Sequence, residues 1–313
     1  MVTEWLGNAW TALYFFLVRP MWKWVLRKYT GRCELLRLSY QYDEGAKRTK
    51  SIEKSLKLSR VTYLKELYKS DNIQDVAAAA QEVMVLKAVV SEVHPRFMDC
   101  FQVCLCQICG YKKLKNEVES IKKVLYSAEN PDHETKLLKL WEVMMPDVKL
   151  EMRVSNQWKE LGFQGDDPKT DFRGMGVLGL YQLLYFAVKH SDQCRRILSR
   201  SKHPTYWYPY AVVGINLTKA IYELLQSGAL RTHFYNISKG QPFLHDFHEV
   251  YCYMLFEFDK FWINSKPKDI MEFGRLQGKF KKLVLSKLKD DPSTVLVADF
   301  QKGHHGEDCF GNS

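Results

Sequence analysis

The chain has 313 residues, of which 46% are hydrophobic and 26% charged, so it can bury a sizeable core and is neither disordered nor fibrous. Its net charge of +10 favours an anionic partner, such as a lipid surface, a nucleic acid or an acidic protein face. No DNA- or RNA-binding motif is visible and the lysines are spread over many polar helix faces, so no nucleic-acid partner is predicted.

The first thirty residues combine an uncharged aromatic run with a basic cluster. Residues 5–18, WLGNAWTALYFFLV, carry no charge but are too few for a transmembrane helix, which needs roughly 20. They also lack the basic start and the cleavage site of a signal peptide. Tryptophans beside arginines and lysines are typical of an interfacial anchor, so residues 5–32 are predicted to bind an anionic membrane surface. The alternative is a helix that packs on the protein's own core.

Helical spacing of apolar residues recurs along the rest of the chain, and no run of alternating β-branched residues between hairpin turns indicates a sheet. Helices are predicted over residues 47–68, 76–90, 97–108, 134–145, 177–188, 211–226 and 245–263. The 211–226 segment is followed by Ser227-Gly228, which is typical of a helix C-cap. The predicted fold class is therefore all-α.

The best internal break is Asn130-Pro131, because the residue before a proline is disfavoured in a helix. The predicted organisation is a membrane-surface segment at 1–30, an N-terminal helical region at 31–130, a main helical domain at 131–290 and a mobile polar tail at 291–313.

The eight cysteines do not form a disulfide framework, and reduced thiols favour the cytosol. Four of them crowd into residues 100–109, CFQVCLCQIC, either as a metal site or as small hydrophobes on a buried helix. The second interpretation is favoured, since no histidine follows at zinc-finger spacing. His245 and His248 lack a third ligand nearby in sequence, and His304 and His305 fall in the predicted tail. No metal site and no cofactor are predicted.

Residues 162–176, GFQGDDPKTDFRGMG, contain four glycines and a proline and show neither helical nor strand periodicity, so they are predicted to form a loop. The apolar Trp158 and Leu161 precede this loop, and an almost wholly apolar helix follows it. The segment lacks the spacing of a phosphate-binding loop, and its aspartates would repel a phosphate. It is not predicted to bind a nucleotide by itself.

Arg173 lies between Phe172 and Gly174, at the start of the buried helix. Its guanidinium group is always charged and presents five donors in a planar fork, as an arginine supplied to a phosphoryl-transfer site requires. A buried Phe172 could fix the backbone, Gly174 would allow a partner to approach closely, and Asp171 could orient the arginine. The alternative is a local salt bridge between Arg173 and a neighbouring aspartate that only pins the loop.

The segment from Trp158 to Phe186 resembles the signature of the ELMO domain, W-x-x-x-G-F-Q-x-x-x-P-x-T-D-F-R-G-x-G-x-x-x-L-x-x-L-x-x-F. Every fixed position is present, namely Trp158, Gly162, Phe163, Gln164, Pro168, Thr170, Asp171, Phe172, Arg173, Gly174, Gly176, Leu180, Leu183 and Phe186. Further stretches, such as ETKLLKLWEVMMP and YCYMLFEFDKFW, are similar to the short ELMO-domain-containing proteins. The resemblance covers the chain from about Thr30 to Leu288.

The resemblance implies a multi-helix ELMO domain with an N-terminal helical extension, and GTPase-activating activity toward small GTPases of the Arf and Arf-like group. It implies that Arg173 is the catalytic residue, and that the longer engulfment-and-motility scaffold proteins share the domain without that arginine. The residues expected to contact the GTPase or shape the loop are Gln164, Pro168, Thr170, Asp171, Phe172, Gly174 and Gly176. Such a protein regulates an enzyme and has no substrate of its own.

Two other functions stay open. One is a non-catalytic adaptor that binds a small GTPase or a membrane partner through the same surface, with Arg173 contributing only affinity. The other is a membrane-remodelling protein that works through its N-terminal segment. In each case the expected location is the cytoplasm, peripheral on an intracellular membrane.

Overall fold

The computed structural model describes residues 17–299. Over this range the secondary structure is helical and contains no β-strand, which confirms the predicted all-α class. None of the helices in the described range is both long and apolar enough to cross a membrane. Most of the uncharged run at residues 5–18 precedes the described residues.

The described residues divide into two compact units, one containing 17–110 together with 235–241, and the other containing 111–234 and 242–299. The α-helices in chain order are α1 Arg19–Thr30, α2 Glu34–Gln41, α3 Ala46–Lys57, α4 Thr62–Lys69, α5 Val76–Lys87, α6 Phe97–Lys123, α7 Pro131–Met144, α8 Val177–Lys189, α9 Ser191–Ser201, α10 Tyr210–Ser227, α11 Arg231–Ile237, α12 Leu244–Ser265 and α13 Phe273–Asp290. Three short 3-10 helices span Asn156–Leu161, Pro168–Gly174 and Ile270–Glu272.

In the first unit, the fully buried amide of Gln107 joins three segments that are distant in sequence. Its oxygen accepts a hydrogen bond of 2.5 Å from Thr49 Oγ1, and its nitrogen donates to the carbonyl oxygens of Tyr235 at 3.1 Å and Ser238 at 2.5 Å. These bonds attach residues 235–241 to this unit. The cysteine-rich segment forms part of α6, where Cys104 and Cys109 are buried and neither is in a disulfide with another described residue. It therefore contributes small apolar side chains to a helix.

In the second unit, α8 is the central helix and packs against α7, α9, α10 and α12. Leu178, Leu180, Leu183 and Phe186 are completely buried, as expected for a helix that is apolar on most sides. Each such side chain contributes about 1.5–3 kcal/mol through burial. Since α8 starts directly after the glycine-rich segment, a deeply buried helix of this unit supports one end of that segment.

Several helix boundaries differ from the predictions, for local reasons. The predicted helix over 47–68 is divided into α3 and α4, because the Ser59 hydroxyl accepts the Val61 N–H and so offers the backbone a turn in place of the helix. The helix predicted over 97–108 continues to Lys123, and the residues that extend it are more polar than the predicted part. Asn130-Pro131 begins a helix, with Asn130 as its N-cap, and Gly228 caps α10 at φ 81° as predicted.

The described part of the predicted tail contains a buried residue. Leu296 is 1% exposed, and its N–H donates a 2.9 Å hydrogen bond to Nδ1 of His233, which is also buried. This bond requires a neutral ring with Nδ1 as the acceptor. Residues 300–313 lie outside the described range.

We expect the protein to lose stability as the pH falls from 6.5 toward 4. Burial lowers the pKa of both His233 and His248 to about 4, from an ordinary value of 6.5. Since the unfolded chain takes up these protons first, the stability is complete above pH 6.5 and decreases below it. Each histidine should remove about 2 kcal/mol of unfolding free energy between pH 7 and pH 5. Urea unfolding at the two pH values measures the loss, and an undiminished loss in His233→Asn would contradict the assignment.

Candidate functional site

Residues 162–176 form a more regular structure than the predicted loop. Pro168–Gly174 is a 3-10 helix, and the prediction of an irregular segment over those residues was wrong. Two local features start this helix. The Asp167 carboxylate caps it by accepting the Lys169 N–H at 3.1 Å, and Pro168 occupies the first turn, where its missing N–H is not needed. The helix is too short to show an apolar period in the sequence.

Phe172 anchors the 3-10 helix in a row of tilted and edge-on aromatic rings. Its buried ring lies 5.3 Å from that of Tyr126 and 5.8 Å from that of Phe163. The ring centroids of Phe163 and Trp158 are 5.7 Å apart, and those of Trp158 and Trp141 of α7 are 5.3 Å apart. Such pairs contribute about 0.5–1.5 kcal/mol each beyond the burial of their area. The backbone next to Arg173 is therefore fixed by the core.

Arg153 makes the salt bridge that pins the segment, and sequence reasoning missed it. Its guanidinium group donates to Glu134 at 2.6 Å and Asp167 at 2.9 Å, and more weakly to the Tyr126 hydroxyl at 3.3 Å. Burial alone would raise the pKa of Asp167, but the Lys169 N–H and Arg153 outweigh it and lower the pKa. No local motif signals Arg153, because its partners come from three separate segments.

Arg173 itself is exposed and makes no hydrogen bond or ion pair to any residue in the described range. Its neighbour Asp171 accepts the Gln164 N–H at 2.9 Å. Burial raises the pKa of Asp171, against the opposing effects of the Gln164 N–H and the charge of Arg173. The acidic residues are thus engaged elsewhere, since Asp167 binds Arg153 and Asp166 binds Lys159 at 3.0 Å. The guanidinium group is left facing solvent.

A depression with a volume of about 270 Å³ lies between this segment and α10. Its walls are formed by Gln164, Thr170, Asp171, Gly174 and Met175 on one side and by Val212, Ile215, Asn216 and Lys219 on the other. The predicted site residues therefore separate into two groups. Gln164, Thr170, Asp171 and Gly174 line the depression next to Arg173, whereas Pro168, Phe172 and Gly176 are buried beneath the surface.

Gly176 closes the segment against the end of α6. Its φ of 55° and ψ of −153° belong to a region that is essentially restricted to glycine. A Cβ at this position would lie 2.2 Å from the Lys122 carbonyl oxygen and 2.4 Å from that of Val124. The next residue, Val177, donates its N–H to the same Val124 oxygen at 2.9 Å. The contact requires both the unusual backbone conformation and the absence of a side chain.

Comparison with known proteins gives concordant matches. A sequence model of the ELMO/CED-12 family matches residues 116–277, a range that contains the whole candidate site. ELMO domain-containing protein 2 of Mus musculus is 44% identical over 283 residues, which are 90% of this chain and 96% of that protein. ELMO domain-containing protein 1 of Mus musculus is 45% identical over 308 residues, with 92% and 94% covered.

A more distant relative, ELMO domain-containing protein B of Dictyostelium discoideum, is 35% identical over 271 residues, which are 83% of this chain and 92% of that protein. The family match covers more than half of the chain, and the relatives align with this chain over nearly their full lengths. The resemblance found in the signature from Trp158 to Phe186 is thereby confirmed, and the chain belongs to the ELMO/CED-12 family.

Proposed function

We propose that this protein is a GTPase-activating protein for small GTPases of the Arf and Arf-like group, and that it supplies Arg173 in trans to GTP hydrolysis. The observation that carries the proposal is that the Arg173 side chain is not held in place by the rest of the described structure. It is exposed and lacks an ion pair within the described residues, although its backbone is fixed by the buried Phe172. A structural arginine would instead resemble Arg153, which is half-buried and bound to two carboxylates.

The chemistry of the guanidinium group fits this role. Negative charge spreads over the γ-phosphoryl oxygens in the transition state, and a planar fork of N–H donors can bind two of these atoms at once. An arginine supplied in this way raises the hydrolysis rate by roughly 10³ to 10⁵, or about 4–7 kcal/mol of barrier. A guanidinium group can act in this way without any proton transfer.

The surroundings of Arg173 support an approach by a protein partner. Gly174 is exposed, and no atom lies within 4 Å of where its Cβ would be, so a partner's backbone can come close. The adjacent depression offers the Gln164 side chain and the Lys219 ammonium group as polar contacts. The fixed backbone limits the entropy lost when the arginine docks.

The direct test is single-turnover hydrolysis of GTP by purified Arf-family and Arf-like GTPases, with the full chain added in increasing amounts. Acceleration that saturates with concentration supports the proposal. A GTPase that binds the protein in its GTP state, yet hydrolyses GTP at its intrinsic rate throughout the titration, indicates the adaptor function. Testing a panel of GTPases identifies the preferred partner.

We further propose that the protein is cytoplasmic and peripheral on an intracellular membrane, held through residues 5–32. Within the described part of that segment, α1 buries none of its residues and exposes Trp22, Trp24 and Tyr29. The Lys28 ammonium group lies 5.6 Å from the centre of the Trp24 ring. Exposed aromatic rings beside cations suit the interface of an anionic leaflet. Residues 5–16 lie outside the described range.

Replacing both Trp22 and Trp24 with alanine is expected to weaken binding to anionic liposomes by at least about tenfold, because two large apolar side chains no longer enter the interface. Liposome cosedimentation measures the effect. Trp207→Ala is the matched control, since this tryptophan is similarly exposed but belongs to the second unit. Equal binding by the double variant and the wild type would rule out α1 as an anchor.

A further inference from the structure

We propose that His190, Glu249 and Cys252 form a binding site for a divalent cation of the zinc type. His190 lies between α8 and α9, whereas Glu249 and Cys252 are three residues apart on one face of α12. All three belong to the second unit. Sequence reasoning predicted no metal site, because the histidine is far from the other two residues along the chain.

The donor atoms are already close to one another. The His190 Nε2, a Glu249 carboxylate oxygen and the Cys252 Sγ all lie within 4.8 Å of one another, and the first two are 3.3 Å apart. Tetrahedral zinc with bonds of about 2.0–2.3 Å holds its ligands roughly 3.5 Å apart. The nitrogen and oxygen therefore stand at the required separation. The buried sulfur lies at most 4.8 Å from either atom, so side-chain movements of about 1 Å at the half-buried His190 and Glu249 would complete the site.

Neighbouring side chains orient two of the three ligands. The Tyr185 hydroxyl donates a 2.6 Å hydrogen bond to Glu249 Oε1, which directs the other oxygen, Oε2, toward His190. The His190 ring lies 6.0 Å from that of Phe186, which restricts its rotation. A tyrosine that holds one oxygen of a ligating carboxylate is the kind of outer partner that metal sites use to fix their geometry.

The set of donors selects the cation. One thiolate, one imidazole and one carboxylate suit zinc and disfavour magnesium and calcium, which prefer oxygen ligands. On binding, the Cys252 thiol gives its proton to solvent, and the imidazole binds through its neutral nitrogen. The two negative ligands then balance the charge of the cation. Three protein ligands leave a fourth position for water on the exposed side of His190 and Glu249.

A bound cation would join the end of α8 to α12. Helix α8 has 13 residues and is about 20 Å long, so the site and Arg173 lie at opposite ends of it. The metal site is independent of the proposed GTPase activation. It acts on the stability of the second unit, because a cation bound only in the folded state stabilises that state.

The test is titration of the metal-free protein with Co²⁺, which replaces zinc and gives a near-ultraviolet charge-transfer band when a thiolate binds it. We expect the band to saturate at one equivalent, to be competed away by Zn²⁺ and to be lost in Cys252→Ser. Cys106→Ser is the matched control and should keep it, since Cys106 lies on α6 in the first unit. Absence of the band in the wild type, or its persistence in Cys252→Ser, would overturn the proposal.

Because Cys252 is fully buried, two further variants exclude a folding artefact. His190→Ala should lose tight zinc binding while its far-ultraviolet circular dichroism stays native. Tyr185→Phe removes only the hydroxyl that orients Glu249 and should weaken zinc binding by about 10- to 100-fold. Zinc affinity equal to that of the wild type in both variants would mean that His190 and Glu249 form only an ion pair.

Discussion

Arg173→Lys and Arg173→Ala are each expected to lower GTPase activation by roughly 10³- to 10⁵-fold, almost to the intrinsic rate of the GTPase. Lysine keeps the positive charge, but as a single ammonium group it cannot bind two phosphoryl oxygens through a planar fork. If charge alone were sufficient, the lysine variant would keep most of the activity. The comparison therefore separates the geometry of the donor from its charge.

The structure predicts that these substitutions leave folding intact. Arg173 is exposed and makes no ion pair or hydrogen bond within residues 17–299, so its removal should change the unfolding free energy by less than about 0.5 kcal/mol. Arg275→Ala is the matched control for losing an exposed arginine, because Arg275 lies on α13 and, among residues 17–299, pairs only with Glu272 at 2.5 Å. Single-turnover kinetics and urea unfolding of the same preparations give both quantities. Full activation by both Arg173 variants would refute the catalytic role.

Gly176→Ala is expected to destabilise the protein by about 3 kcal/mol or more. An alanine there must hold a φ of 55°, and its methyl group would lie 2.2 Å from a carbonyl oxygen of α6. The two closest atoms are the carbonyl oxygens of Lys122 and Val124. Both belong to the backbone, so they cannot move aside as the end of a flexible side chain could. Relief of the clash requires the segment to move away from residues 122–124, so the connection through Val177 is lost as well.

Gly174→Ala provides the matched control two residues earlier. Its φ is not positive, and a methyl group would meet no atom within 4 Å, so the stability should change by less than about 1 kcal/mol. The same methyl group would stand where a GTPase is proposed to dock, and activation should decrease although the fold is kept. Urea unfolding with the kinetic assay distinguishes the two glycines. Similar stabilities for the two variants would contradict the backbone argument.

The all-α class and the buried helix α8 could be predicted because both depend on periodicities that the sequence displays directly. The end of α10 was also predictable, since Ser227-Gly228 is a local signal that the structure confirms at Gly228. Helix boundaries that depend on a competing turn could not be predicted. An example is the turn at Ser59, whose hydroxyl accepts the Val61 N–H where the predicted 47–68 helix is interrupted. Hydrogen bonds between distant segments, such as those of the Gln107 amide, have no signal in the local sequence.

In the candidate site too, features with a local sequence signal could be predicted and tertiary contacts could not. The signature identified the residues around Arg173, and the apolar character of Phe172 indicated an anchor. The salt-bridge network that holds the segment was not predictable. Arg153 pairs with Glu134 and Asp167, which lie 19 residues before it and 14 residues after it in the sequence. The signature also could not show whether Arg173 or another arginine would bind the neighbouring aspartates. The structure assigns that task to Arg153.

The division of labour between Arg153 and Arg173 has an evolutionary consequence. Arg153 holds the segment through a salt bridge, whereas Arg173 makes no hydrogen bond or ion pair with a described residue. Selection for a stable fold should therefore conserve Arg153 but not Arg173. Mutation at position 173 is therefore expected to be neutral for folding, and under the proposed function an arginine would persist there only in lineages that use it. Under the same proposal, a descendant that loses this residue would keep a folded domain that binds the GTPase without activating it.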